Sequence, residues 1–195
     1  MNTRYLTAFL VTLAMLVTAA WFTRSAPIDE LAVTDRYDRH FKKYSKRYFS
    51  VLSDWRWFKA QSVAESGLRR TALSDQGAVG IMQVLPETFN EVVEHYSDLF
   101  NISEPKWNIA AGIAFNRHLF ERWRRWVPRD QSLKFTLASY NSGLRRIAGI
   151  RKRAEADGRN SSDWNAVAPY APSETRRYVK RIHELMEHPS VGTDH

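Results

Sequence analysis

The 195-residue chain contains no cysteine, which excludes a disulfide framework, a thiolate zinc site, a thiol nucleophile and a lipidated N-terminal cysteine. Glycine and proline are scarce, at eight and seven residues, so a collagen-like or low-complexity chain is excluded. No internal repeat of about 20 to 50 residues is visible, which argues against a solenoid. Sustained two-residue alternation is also missing, and with it the signature of a large sheet. The six histidines, His40, His95, His118, His183, His188 and His195, form no H-E-x-x-H pair, and Ser142 sits in no G-x-S-x-G elbow. No cofactor and no metal is therefore expected, and serine hydrolysis has no support.

Charge is missing from one place in particular, the stretch between Arg4 and Arg24, where Tyr5 to Phe22 is apolar except for Thr7, Thr12 and Thr18. An apolar run of this length at the N-terminus reads as an export signal or a membrane anchor, and both readings fit residues 1–26. Pro27 opens a short linker over 27–33. A domain over 34–187 and a flexible tail over 188–195 complete the expected division. Only two of the 29 basic residues lie before Ala26 and no acid precedes Asp29, so 27 bases against 21 acids leave +6 on the remainder. Such a surface favours anionic partners.

The rest reads as helices. Tyr37, Phe41, Tyr44 and Tyr48 recur at steps of four, three and four, the spacing of one core-facing helical stripe. A second helix starts near Ser53 or Asp54 and stops at Gly67. Gly77 and Gly80 predict turns between Ser74 and Val84, with at most a small hairpin. Helix resumes at Pro86. Asn108 is expected to cap the next helix, whose apolar face is Ile109, Ile113, Leu119, Phe120, Trp123 and Trp126. Further helices are predicted over Ser132–Ser139, Leu144–Ala156 and Ser173–Glu187, the last with Tyr178, Ile182 and Leu185 on one face. The fold class is thus mainly α.

Glu65 is the residue with the clearest chemical potential, because it lies where a helix ends in Ala64-Glu65-Ser66-Gly67. A carboxylate there faces the negative pole of its own helix, and apolar neighbours such as Trp57 and Val63 would disfavour its ionisation further. A raised pKa is what a general acid near neutrality requires.

Five ordered blocks extend this reading. Glu65-Ser66-Gly67, Gly77-Ala78-Val79-Gly80-Ile81-Met82-Gln83, Asn108-Ile109-Ala110-Ala111-Gly112, Ala138-Ser139-Tyr140-Asn141-Ser142-Gly143 and Glu174-Thr175-Arg176-Arg177-Tyr178-Val179 occur over roughly residues 50 to 185. Together they resemble the lytic transglycosylase domain of the soluble murein transglycosylase type (SLT domain), a relative of goose-type lysozyme.

The resemblance implies a lysozyme-like helical domain that cleaves the bond between N-acetylmuramic acid and N-acetylglucosamine in peptidoglycan. It implies Glu65 as the catalytic acid that then acts as base, the muramic acid C6 hydroxyl closing on C1 to leave a 1,6-anhydro end. It also implies substrate-binding positions at Ser66, Met82, Gln83, Tyr140, Asn141 and Tyr178, with Tyr178 matching a tyrosine that reaches the catalytic glutamate. The partners it implies are peptidoglycan strands and, for residues 5–22, the inner membrane of a bacterial periplasm. A monomer is expected. Arg69-Arg70 and Leu144-Arg145-Arg146 differ from the family's usual Asn-Pro and Gly-Pro runs.

Two other readings stay open from sequence. A lysozyme-like hydrolase could use Asp75 to orient water. A non-catalytic polymer-binding module could use the interleaved cations and aromatics of Arg122-Trp123-Arg124-Arg125-Trp126, with Arg145, Arg146, Arg151, Lys152, Arg153, Arg176, Arg177, Lys180 and Arg181, although an exported domain is not expected to meet nucleic acid.

Overall fold

A computed structural model describes residues 33–49 and 54–191. The apolar segment and linker expected over 1–33 therefore lie outside the described residues, apart from Val33. Among the described residues no helix is long and apolar enough to cross a membrane.

The described architecture is helical throughout. In chain order come α1 (Asp38–Phe49), α2 (Arg56–Ser66), α3 (Pro86–His95), α4 (Pro105–Trp123), α5 (Arg129–Ser142), α6 (Leu144–Ala156), the single turn α7 (Trp164–Val167) and α8 (Ser173–Glu187). Short 3-10 turns follow α7 and α8, at Ala168–Tyr170 and Pro189–Val191. The expected tail from residue 188 thus begins with a 3-10 turn, whose Val191 is buried. No strand forms among the described residues. The loop between α2 and α3 carries two isolated antiparallel bridges, Leu73 with Val79 and Val79 with Val84, where a small hairpin was the upper limit predicted.

Helix α4 is the central element. Ile109, Ala110, Ala111, Ile113, Ala114, Leu119, Phe120 and Trp123 are all buried along it, and it packs between α1 and α5. The aromatic stripe of α1 meets it as predicted from the four-three-four spacing, with Phe41 and Tyr44 buried completely or nearly so. Helix α8 lies against both α2 and α5, and this packing sets the site, because it brings residues near 175 and 178 to residues near 65 and 141. Lys59 is buried on α2 and its Nζ sits 2.8 Å from Asp38 Oδ1, joining α2 to α1. Removing one partner of such a pair would leave a buried charge uncompensated.

Several boundaries differ from expectation, among them those of α5, which runs Arg129–Ser142 where Ser132–Ser139 was predicted. Asn108 does not cap α4, which begins three residues earlier at Pro105, a favourable first-turn residue. Its amide is too valuable elsewhere, as described below. Trp126 leaves the predicted apolar face and is 46% exposed, because α4 ends at Trp123 and the chain turns there. The Asp54 carboxylate does serve the start of α2, accepting from the Arg56 amide at 3.0 Å.

Candidate active site

The end of α2 is fixed first by Gly67, which takes a left-handed φ of 61° that an L side chain rarely adopts. Its N–H donates to the Val63 carbonyl at 2.9 Å and the Leu68 N–H reaches back to Ser62 at 3.4 Å, satisfying carbonyls that the helix leaves open. Glu65 is the next-to-last residue of this helix. The Ser66 hydroxyl is buried and donates to the Ile81 carbonyl at 2.7 Å, so it ties the helix end to the loop that follows.

That loop is held by Asn108, which is why the side chain is not free to cap a helix. Asn108 Oδ1 accepts from the Met82 amide at 2.8 Å, while Nδ2 donates to the carbonyls of Val79 at 2.8 Å and Ile102 at 3.0 Å. Two glycines permit the close approach. A Cβ on Gly80 would lie 2.7 Å from Asn108 Nδ2, and one on Gly112 would lie 2.5 Å from Met82 Sδ. Met82 is consequently buried, and its side chain supports the loop from below. Gln83 takes a φ of 48°, and its Nε2 donates to the carbonyls of Gly80 at 2.9 Å and Ala72 at 3.3 Å. Its donor is spent on its own loop.

Helix α5 contributes Tyr140 and Asn141. The Tyr140 hydroxyl donates to the Met82 carbonyl at 2.9 Å, binding α5 to the same loop. Asn141 Oδ1 accepts from Thr175 Oγ1 at 2.9 Å and from Ser142 Oγ at 3.4 Å, and Ser142 and Thr175 also share a very short hydroxyl contact. These bonds use only the Asn141 oxygen.

Helix α8 contributes Tyr178, which is fully buried and donates from its hydroxyl to Glu65 Oε1 at 2.5 Å. Glu65 as a whole residue keeps partial exposure, while its carboxyl is desolvated. That burial pushes its pKa up to about 8, against an ordinary 4.5. The Tyr178 hydrogen bond pulls in the opposite direction, and the Glu174 carboxylate adds to the rise. Both phenols, Tyr140 and Tyr178, are held well above their usual range by burial and then by the Glu65 charge, so they remain proton donors in hydrogen bonds. At neutral pH the arrangement presents a largely protonated carboxylic acid with a fixed phenol behind it.

The structure thus gathers Glu65, Tyr178 and Tyr140 around one point, and places Ser66, Met82 and Gln83 in the loop machinery that shapes it. The Trp57 ring stands edge-on against His183, with ring centroids 4.7 Å apart. Asp75 is exposed. The carboxylate that acts on Glu65 is Glu174, to which the sequence reading gave no role. Its signal was present, since Glu174 and Tyr178 stand four apart and share a helix face. Among the described residues no three His, Cys, Asp or Glu side chains gather as a metal site. A separate concavity of about 750 Å³, bounded by Arg47, Trp57, Arg117, Phe120, Arg124 and Arg129, includes none of the site residues. In the Arg-Trp-Arg-Arg-Trp run Trp123 is buried and donates to Ser139 at 2.8 Å, so it cannot serve as an exposed stacking platform.

With that geometry in place, the chain belongs to the Transglycosylase SLT domain family, whose model matches residues 41–164. It is 31% identical over 157 residues to a membrane-bound lytic murein transglycosylase F of Shewanella halifaxensis, an alignment covering 79% of this chain and 32% of that protein. A protein of the same name in Maricaulis maris is 28% identical, with 78% of this chain and 34% of the relative covered. The fold is like that of the 70 kDa soluble lytic transglycosylase of Escherichia coli, with a TM-score of 0.64 at 24% identity, covering 79% of this chain and 24% of the other. It is also like the lytic transglycosylase Slt of Pseudomonas aeruginosa, with a TM-score of 0.65 at 21% identity and the same coverage. The chain spans about a third of the length of the curated relatives described here.

Proposed function

We propose that this chain is a peptidoglycan lytic transglycosylase, an enzyme that cleaves the β-1,4 bond between N-acetylmuramic acid and N-acetylglucosamine and leaves a 1,6-anhydro end. The observation that carries this reading is the Glu65 carboxyl, desolvated so that its pKa is raised to about 8 and held at Oε1 by the Tyr178 hydroxyl. The family and the names of the curated relatives support it.

Glu65 in its acid form gives its proton to the glycosidic oxygen as the bond to C1 breaks. The resulting carboxylate accepts the proton of the muramic acid C6 hydroxyl while O6 bonds to C1, so the enzyme ends the cycle protonated. Attacking oxygen and leaving group both belong to the glycan, and no water enters, unlike the two-carboxylate hydrolysis of ordinary glycosidases. Tyr178 holds the carboxyl in one orientation through both steps. Gln83 through its oxygen, Asn141 through its amide nitrogen and Tyr140 at the cleft wall bind or border the sugar, whereas Ser66 and Met82 serve the substrate indirectly by fixing the loop.

Residues 34–187 form the catalytic unit, acting as a monomer in the periplasm. The apolar stretch over residues 5–22 takes it to the inner membrane. The curated relatives are named as membrane-bound, which supports that placement.

Release of soluble fragments from purified sacculi tests the reading. The wild-type chain is expected to release them, and Glu65→Gln to slow release by about 10² to 10⁴-fold. Undiminished release by Glu65→Gln would remove this carboxyl from the mechanism.

A further inference from the structure

All five exposed residues of α1, Arg39, Lys42, Lys43, Lys46 and Arg47, are cations. At about 100° per residue they fall within one side of the helix, opposite the stripe of Phe41, Tyr44 and Tyr48 that enters the core. Among the described residues only Arg47 of the five meets a carboxylate at ion-pair distance, that of Asp98, whereas Asp38 at the start of the helix is held by the buried Lys59. A solvated helix face ordinarily mixes signs, as α4 and α8 do with Arg117–Glu121 and Lys180–Glu184. Concentrating one sign on one face brings self-repulsion, which an anionic partner relieves.

The loop between α3 and α4 adds apolar surface at the edge of this face. Tyr96 stands edge-on against Tyr48, with ring centroids 4.7 Å apart, and both carboxylate oxygens of Asp98 accept from Arg47, so the loop runs beside α1. Phe100, two residues on, is 75% exposed, the highest figure for any large apolar side chain among the described residues. Its ring packs edge-on against Trp107, with centroids 5.5 Å apart, and the Lys106 ammonium lies 4.5 Å from the centre of the same indole. Cations grouped with an exposed aromatic suit a lipid interface, where rings enter the headgroup layer and ammonium and guanidinium groups meet phosphate. A hydrated wall polymer offers no apolar layer for Phe100. Position in the chain favours the same partner. The apolar run ends at Phe22, and the eleven residue steps from there to Val33 (33 minus 22) span at most about 40 Å, so a bilayer that holds residues 5–22 lies within reach of α1.

We propose that the cationic face of α1, with Phe100 and Lys106 at its edge, docks the domain onto an anionic phospholipid surface. No residue of this face belongs to the Glu65 site, so lipid and glycan can be held together. The closeness of the bilayer rests on the reading of residues 5–22 as a membrane segment; the affinity of the face for anionic lipid does not.

The test uses the full chain with vesicles of phosphatidylcholine alone or with about one third phosphatidylglycerol. Because the chain has no cysteine, a single fluorophore can be placed at Ser103→Cys, three residues from Phe100, or at Asp157→Cys, just after α6, and read against nitroxide-labelled lipid. Quenching at Ser103→Cys is expected to be at least about twofold stronger in the anionic vesicles, and to fall to the neutral level in about 0.5 M salt and in Arg39→Gln/Lys43→Gln/Lys46→Gln. Quenching at Asp157→Cys is expected to be the same in both vesicles. Equal quenching at Ser103→Cys in both, a rise of the same size at Asp157→Cys, or a triple variant that behaves as the wild type overturns the proposal. A chain that associates with the anionic vesicles alone sustains the docking face and contradicts the membrane-segment reading, and one that associates with neither contradicts both. Fragment release from sacculi in detergent is a separate arm, in which the triple variant is expected to match the wild type. A triple variant that loses sacculus binding while its lipid quenching stays intact assigns the face to the wall polymer and overturns the proposal.

Discussion

Tyr178 donates its hydroxyl to Glu65 Oε1 at 2.5 Å across a sequence separation of 113 residues. A phenol from α8 therefore reaches a carboxyl at the Gly67-capped end of α2, and the two opposing influences on that carboxyl, burial and this hydrogen bond, can be separated by substitution.

Tyr178→Phe removes the influence that favours the carboxylate, so the Glu65 midpoint should climb above about 8. Because the free enzyme needs Glu65 protonated, the alkaline limb of kcat/KM should move to higher pH with it. A pH profile of fragment release checks this, and a limb displaced to lower pH would show that the phenol acts otherwise.

Stability carries the same signature. Folded Glu65 holds its proton up to about pH 8, whereas an unfolded glutamate releases it near 4.5. The folded-state pKa is raised, so the contribution is fully present below about pH 4.5 and is lost as pH rises through 8. Glu65→Gln has no such loss. Its stability relative to wild type should grow across that window, by up to about 5 kcal/mol, and then level off. Denaturant unfolding at several pH values measures the gap, and parallel curves would refute the buried acid.

The loop glycines allow a paired comparison. Gly77 and Gly80 both have φ near 80°, at 80° and 76°, but a Cβ at Gly77 meets nothing within 4 Å while one at Gly80 meets Asn108. Gly77→Ala should cost about 1 kcal/mol from backbone strain alone. Gly80→Ala adds a clash with the side chain that holds the loop and should cost roughly 1–3 kcal/mol more. Equal losses by thermal unfolding would show that Asn108 yields freely.

Asn108→Leu tests the loop from the other side. It leaves the Met82 N–H and the Ile102 carbonyl without the partner that Asn108 supplies, while the Val79 carbonyl keeps the Val84 N–H at 3.0 Å. A loss of about 2–4 kcal/mol is expected, on the order of one to three for each buried group left unsatisfied and partly recovered by water. Hydrogen exchange at the Met82 amide should accelerate accordingly, and unchanged protection would place its partner elsewhere.

Much of the helix layout was legible because it rests on local chemistry. The stripe from Tyr37 to Tyr48, the Gly67 stop and the bounds of the helices at Leu144–Ala156 and Ser173–Glu187 follow from periodicity and capping residues, which a sequence displays. Asn108 was misread as a cap because the same side chain suits a helix start and a loop clamp, and only the loop's arrival decides between them. Tyr178 reads equally well as part of an apolar stripe, since its ring is buried with Ile182 and Leu185 while its hydroxyl alone does something different. The importance of Glu174 depends on helices α8 and α2 meeting, a long-range event with no local mark beyond its four-residue spacing to Tyr178.

The most direct measurement of the central claim is the mass of the ends released when the full chain digests purified murein. Muramic acid residues carrying the 1,6-anhydro ring, lighter by one water than their reducing counterparts, are the predicted result. Reducing ends from the same digestion would mean that water, and not the substrate's own hydroxyl, attacks C1, and would contradict the single-carboxylate account.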